Sequence, residues 1–238
     1  MKILGIDSSG LTASVALVED DVAIAEYTVN YKKTHSQTLL PMLDEIIKMT
    51  EQDLGTIDAI AVATGPGSFT GLRIGSATVK GLAEALQKPI AAVPTVDGLA
   101  YQMYGTDKVI CPLMDARRNQ TYTGLYEFVK ENENYCMRTL LEQCAVPLDE
   151  IMEQVNRLNR EVIFLGDGVP VFEEQLKEKI SVPYSFAPAF CNRQRAAVIA
   201  VLGMHYYEEG KLQTAVEHAP DYLRLSQAER ERNEAQKC

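Results

Sequence analysis

Two short stretches of this chain carry residues whose types and spacing could do chemistry. The first is Asp7-Ser8-Ser9-Gly10-Leu11-Thr12, directly after an apolar run. A carboxylate at a strand end could position a metal-bound water, or it could close a turn by accepting from backbone two residues on. The turn is the preferred reading, because no second acidic residue lies close by in sequence. The second stretch is Gly65-Pro66-Gly67-Ser68-Phe69-Thr70-Gly71-Leu72-Arg73. Its glycines permit close backbone approach, Pro66 fixes φ, and Ser68 or Thr70 could cap a helix that starts there. Free N–H donors at such a helix start could receive an anion. A strand-to-helix corner with nothing bound is the competing reading. A P-loop is excluded, since no Gly-Lys-Ser/Thr follows, and the dinucleotide fingerprint fails because Gly71 comes one residue late.

The remaining candidates are weaker. His35 has Leu39 four positions on, so no His-x-x-x-His pair exists to hold zinc or iron. Asp115 is followed by Ala-Arg-Arg-Asn-Gln, with no glycine to bring backbone near a phosphate, and Arg117-Arg118 reads as a solvated turn. Gly166-Asp167-Gly168 reads first as a plain helix-start turn. His205 and His218 are isolated and read as surface or packing residues. No nucleophile–base arrangement suggests a peptidase.

The elements that must position these residues are legible from periodicity. Strands are expected over Lys2–Asp7, Ala13–Val18, Val22–Val29, Ile57–Ala63 and Pro89–Pro94. Thr34–Met49 reads as a helix with its apolar stripe on Leu39, Leu40, Leu43, Ile46 and Ile47, leaving Pro41, Met42, Glu45 and Met49 on a flank. Ser68–Leu86 reads as a helix with Gly71, Gly75, Thr78, Leu82 and Ala85 on one face. Its three glycines each cost roughly 1 kcal/mol against alanine, so outside contacts must hold it. A protein interface is the expected holder, with packing inside the chain as the competitor. Thr95 is expected to cap a short helix to about Met103.

The same order recurs further on. Val109–Met114 is a strand ending in Asp115, Gln120–Phe128 a second strand, and Pro147–Leu158 an amphipathic helix. Glu161–Leu165 is then a buried strand entering the glycine turn. Asp7 precedes Gly65 by 58 residues and Asp115 precedes Gly166 by 51, which suggests a duplicated unit. A helix over Gln194–Glu209 and a polar tail complete the chain. The expected division is 1–104 and 105–190 for two lobes, 191–226 for a returning helix and ending, and 227–238 for the tail.

Composition narrows the class. With 46% hydrophobic and 24% charged residues the 238-residue chain fits an ordinary globular protein with real cores. A formal charge of −10 argues against autonomous nucleic-acid binding, which needs clustered Lys and Arg. The five cysteines include no C-x-x-C pair, so reduced thiols in a cytoplasmic protein are expected. Neither a signal peptide nor a membrane span is apparent.

The glycine stretch 65–73 and the ending Pro220-Asp221-Tyr222-Leu223-Arg224 resemble the bacterial TsaB family, the non-catalytic partner in making threonylcarbamoyladenosine on tRNA. The resemblance covers nearly the whole chain. It implies an α/β fold, the duplicated two-lobed actin-like (ribonuclease H-like) arrangement with mixed sheets and flanking helices. Asp7, Gly10, Thr12, Gly65 and Gly67 would be remnants of phosphate loops, with one residue inserted in the first, and Gly166-Asp167-Gly168 would lie where relatives cradle an adenosine. The resemblance further implies no catalytic residue, no metal and no cofactor in the isolated chain, with a nucleotide at a partner seam left open. The implied partners are TsaD and TsaE, a second copy when alone, and tRNA only through the complex. The partner seam is expected on the helices over 34–49 and 68–86, through His35, Pro41, Met42, Glu45, Met49, Phe69, Gly71, Arg73, Gly75, Thr78 and Leu82. The alternative is an enzyme of the same superfamily, an ATP-dependent small-molecule kinase or a metallopeptidase. A direct tRNA binder is a third reading, disfavoured by the acidic balance.

Overall fold

A computed structural model of the chain describes residues 1–31 and 33–224, so the expected tail 227–238 lies outside the described residues. The first repeat runs β1 (Lys2–Asp7), β2 (Thr12–Glu19), β3 (Val22–Asn30), α1 (His35–Thr50), β4 (Ala59–Gly65), α2 (Phe69–Leu86), β5 (Ile90–Pro94) and α3 (Thr95–Tyr101). The second runs β6 (Val109–Asp115), β7 (Gln120–Glu131), β8 (Asn134–Pro147), α4 (Leu148–Leu158), β9 (Val162–Leu165), α5 (Val169–Lys179), β10 (Tyr184–Phe186) and α6 (Ala196–Glu208). Element for element, the order is the same. The sheets match too: β3-β2-β1-β4-β5 and β8-β7-β6-β9-β10, each with an antiparallel meander and two parallel additions. The chain thus folds as a duplicated α/β unit, two mixed five-stranded sheets with flanking helices.

Alternation along the central strands builds two cores from each sheet. In the first sheet Leu4, Ile6, Ile60 and Val62 point toward α1 and α2, where they meet Leu39, Leu43, Ile46 and Val79. Ile3, Ala59, Ala61 and Ala63 point the other way, toward Ile199, Ala200 and Leu202 of α6. The alanine face of β4 allows a close approach: a Cβ on Gly203 of α6 would overlap Ala61. Helix α6 therefore returns to the first lobe, as the resemblance implied. Helix α3 lies between the sheets, with Val96, Leu99 and Ala100 in a core shared with Ile110, Met114 and Tyr126 of the second lobe. Each such buried aliphatic side chain contributes about 1.5–3 kcal/mol.

Several expectations need correction. On α1 the buried face is Leu39, Met42, Leu43 and Ile46, an i, i+3, i+4, i+7 pattern that keeps three predicted residues, takes Met42 in place of Leu40 and leaves Ile47 at its edge. Met42 is 4% exposed, while Leu40 is 53% exposed. Thr95 does not cap α3. Pro94 occupies that position, and the Thr95 hydroxyl is buried without a partner. Two elements went unread, β8, whose two faces are both partly exposed, and the three-residue β10; α5 follows the Gly166–Gly168 turn read as a helix start, with Pro170 in its first turn. Among the described residues, no helix is long and apolar enough to cross a membrane, and the four described cysteines are free.

Candidate functional site

The glycine loop turns where β4 ends, and its geometry is set by oxygens of the chain itself. Gly65 has φ of +131°, and a side chain there would overlap the carbonyl oxygen of Asp221. A Cβ on Gly67 would overlap the Ser9 carbonyl, and one on Gly71 the Ser8 carbonyl. Two of the loop's N–H donors are taken up by the chain itself. Ser68 N–H donates to the Ser9 carbonyl at 2.6 Å, and Gly71 N–H donates to Ser68 Oγ at 3.3 Å, the helix cap expected of that serine. The loop thus packs against the β1–β2 turn and the C-terminal segment.

Beneath it sits Asp7, 1% exposed. Its Oδ1 accepts from Ser9 N–H at 2.9 Å and from Ser9 Oγ at 2.6 Å, so the carboxylate closes the preferred turn. Burial pushes its pKa up to about 6, with the Ser9 bonds and His35 opposing the rise. Gly10 is hemmed in by Gln194, and Thr12 Oγ1 is buried without a partner. His35 donates Nε2–H to the Gly10 carbonyl at 2.8 Å. Among the described residues, no group of three or more His, Cys, Asp or Glu is arranged to hold a metal ion.

The second lobe supplies the facing wall. Asp115 Oδ1 accepts from Arg117 N–H at 2.7 Å, repeating the Asp7 turn, and its Oδ2 pairs with the Arg117 guanidinium at 3.1 Å. Arg117, Arg118 and Asn119 all have positive φ, which tightens the turn without glycine. Gly166 has φ of +108° and its carbonyl accepts from Arg193 at 3.1 Å. Burial raises the pKa of Asp167, with Arg193 opposing. Between the two walls lies a cleft of about 650 Å³ that reaches Ser9, Gly67, Tyr31, Asp115 and Asp167.

The residues at the mouth of that cleft were not placed by the sequence reading. The segment Pro220–Arg224 crosses it. Asp221 N–H donates to the Thr64 carbonyl at 2.8 Å, and Tyr222 stacks on Phe69 with ring centroids 4.6 Å apart. Arg73 lies 4.0 Å over the Phe69 ring and donates Nε–H to Tyr222 Oη at 3.3 Å. Arg224 Nη1 reaches the Ala116 carbonyl at 2.5 Å, in the other lobe. The two stretches that carry the family resemblance are thus in contact, though 149 positions separate Arg73 from Tyr222.

The expected partner-seam residues divide. Pro41, Glu45 and Met49 on α1 and Arg73 on α2 are exposed, with Thr78 and Leu82 half-buried beside them. Met42 is in the core, Gly71 and Gly75 face Ser8, Phe69 lies under Tyr222, and His35 faces the cleft. These five are not available on the outer surface of α1 and α2. What α2 does present outward is a row of small residues, Ala77, Gly81 and Ala85.

A family model described as TsaD, tRNA N6-adenosine threonylcarbamoyltransferase, matches residues 23–232. The tRNA threonylcarbamoyladenosine biosynthesis protein TsaB of Bacillus subtilis is 34% identical over 237 residues, covering 100% of both chains. TsaB of Escherichia coli is 30% identical over 231 residues, covering 94% of this chain and 95% of its own. Among solved structures, a Pseudomonas aeruginosa protein described as similar to peptidase YEAZ superposes with a TM-score of 0.76 at 27% identity, covering 94% of this chain and 99% of its own. YeaZ from Pseudomonas aeruginosa does so with a TM-score of 0.76 at 26% identity, covering 93% and 100%.

Proposed function

This chain belongs to the TsaB family, and from that premise we propose that it is a cytoplasmic, non-catalytic accessory subunit. It pairs with TsaD and, with TsaE, supports threonylcarbamoyl transfer to the tRNA adenosine beside the anticodon. One observation supports the non-catalytic part: the glycines of the loop that would cradle a phosphate, Gly65, Gly67 and Gly71, are backed by the carbonyl oxygens of Asp221, Ser9 and Ser8. Oxygen lone pairs aimed into that turn repel an anion where N–H donors would attract it. The acidic balance of the chain leaves tRNA contact to the other subunits. A nucleotide, if the assembly holds one, belongs at the partner seam.

The docking surface in this proposal is the outer layer formed by α1 and α2. Ala77, Gly81 and Ala85 allow a partner backbone to come close, and Leu40, Pro41 and Met49 offer an apolar border. A second copy uses the same layer when TsaD is absent. The test is co-purification with TsaD using Ala77→Glu, a change on the exposed side that leaves the core untouched. Association should fall at least about tenfold, which is 1.4 kcal/mol, with the fold intact by circular dichroism. Wild-type binding by the folded variant would remove α2 from the seam.

A further inference from the structure

The two lobes are joined in two places that differ in kind. Helices α3 and α6 join them through apolar cores, with Tyr126 donating to Asp97 at 2.7 Å and Arg195 pairing with Glu26 beside them. The segment Ala219–Arg224 joins them across the cleft mouth and meets the second lobe through side-chain hydrogen bonds. On the first lobe it is held by Asp221 N–H to the Thr64 carbonyl at 2.8 Å, Thr64 Oγ1 to the Ala219 carbonyl at 3.3 Å, and the stack of Tyr222 on Phe69. On the second lobe it is held by Arg224 to the Ala116 carbonyl at 2.5 Å and Gln143 Nε2 to Asp221 Oδ2 at 3.3 Å. The receiving turn is shaped for it, since no side chain at Gly65 could coexist with the Asp221 carbonyl.

We propose that Ala219–Arg224 is a clamp: it sets the angle between the lobes, and with it the width of the cleft. A packed hinge at the back permits rotation, and a tie across the front removes it. The first-lobe end is anchored by backbone bonding and an aromatic stack, so it stays seated. The second-lobe end rests on two side-chain hydrogen bonds and is the end that lets go. Release uncovers the glycine loop and the β6–β7 turn while both sheets stay whole. The clamp needs no partner, so its failure and the failure of the accessory-subunit reading are separate outcomes.

The test is amide hydrogen exchange on the full chain alone, without TsaD or tRNA. Arg224→Ala cuts one second-lobe tie and Gln143→Ala cuts the other. Each should raise exchange about tenfold in residues 65–71 and 116–120, with the amides of β1, β4 and β9 unchanged. Tyr222→Phe, which keeps the stack and loses only the hydroxyl acceptor, should exchange like wild type. The proposal is overturned if Arg224→Ala and Gln143→Ala both leave those two regions at wild-type rates. It is equally overturned if both raise exchange evenly across sheets and loops, because that pattern is loss of global stability and not release of a tie.

Discussion

Asp7 carries a charge penalty that Ser9 and His35 offset only in part. Its carboxyl is buried, its two bonds come from Ser9, and its pKa rises to about 6 from an ordinary 3.8. Between those values the folded chain keeps a proton that the unfolded chain releases. Stability from this source therefore falls as pH rises through that window, and above pH 6 the loss is complete at about 3 kcal/mol. Asp7→Asn keeps an acceptor for both Ser9 bonds and removes the charge. At pH 7.5 it should be more stable than wild type by about 1–3 kcal/mol in urea unfolding, and the gap should close toward pH 4. A variant less stable at pH 7.5 would mean that the charge is compensated by something else. At this scale the turn at Asp7 and the cap at Ser68 were legible, because both are bonds between near neighbours in sequence. The stack of Tyr222 on Phe69 and the Arg224 tie were not, because no local pattern reports on a residue more than 100 positions away.

Helix α2 shows how one residue type serves different ends on one element. Gly71 is pressed against the Ser8 carbonyl, and Gly75 against Ser8 Oγ, which itself donates to the Gly71 carbonyl at 2.9 Å. Gly81 has nothing within 4 Å of where a Cβ would stand. Gly71→Ala should therefore cost more than about 2 kcal/mol, since a backbone carbonyl cannot step aside. Gly81→Ala should add about 1 kcal/mol through helix propensity. Thermal unfolding of the two variants checks the contrast, and similar values for both would contradict it. Spacing alone put Gly71 and Gly75 on a partner seam. It could not do better, because small residues at helical spacing look alike whether the close neighbour is a strand turn or a second protein. Met42 was set on the flank for a related reason: Leu40 and Met42 border the apolar stripe on opposite edges, and residue type alone does not say which edge turns inward. Elsewhere the first repeat was readable nearly strand by strand, from runs buried on both faces. In the second repeat β8 hides its period because both faces meet solvent, and β10 is too short to show one.

For the whole molecule, the duplication was legible from two strand-end aspartates and two glycine turns at like spacing, and the matching sheet orders extend it to every element. The clamp and the lobe-crossing helices were not, since they depend on how the repeats face each other. In the proposed role this scaffold completes an assembly and performs no chemical step. Reconstituted threonylcarbamoyl transfer to tRNA with TsaD and TsaE, run with no added chain, with wild type and with Asp7→Asn, tests that most directly. Modification is expected only when the chain is present, and at equal rates for wild type and Asp7→Asn. Full activity without the chain, or activity lost with Asp7→Asn while the complex still forms, would contradict it.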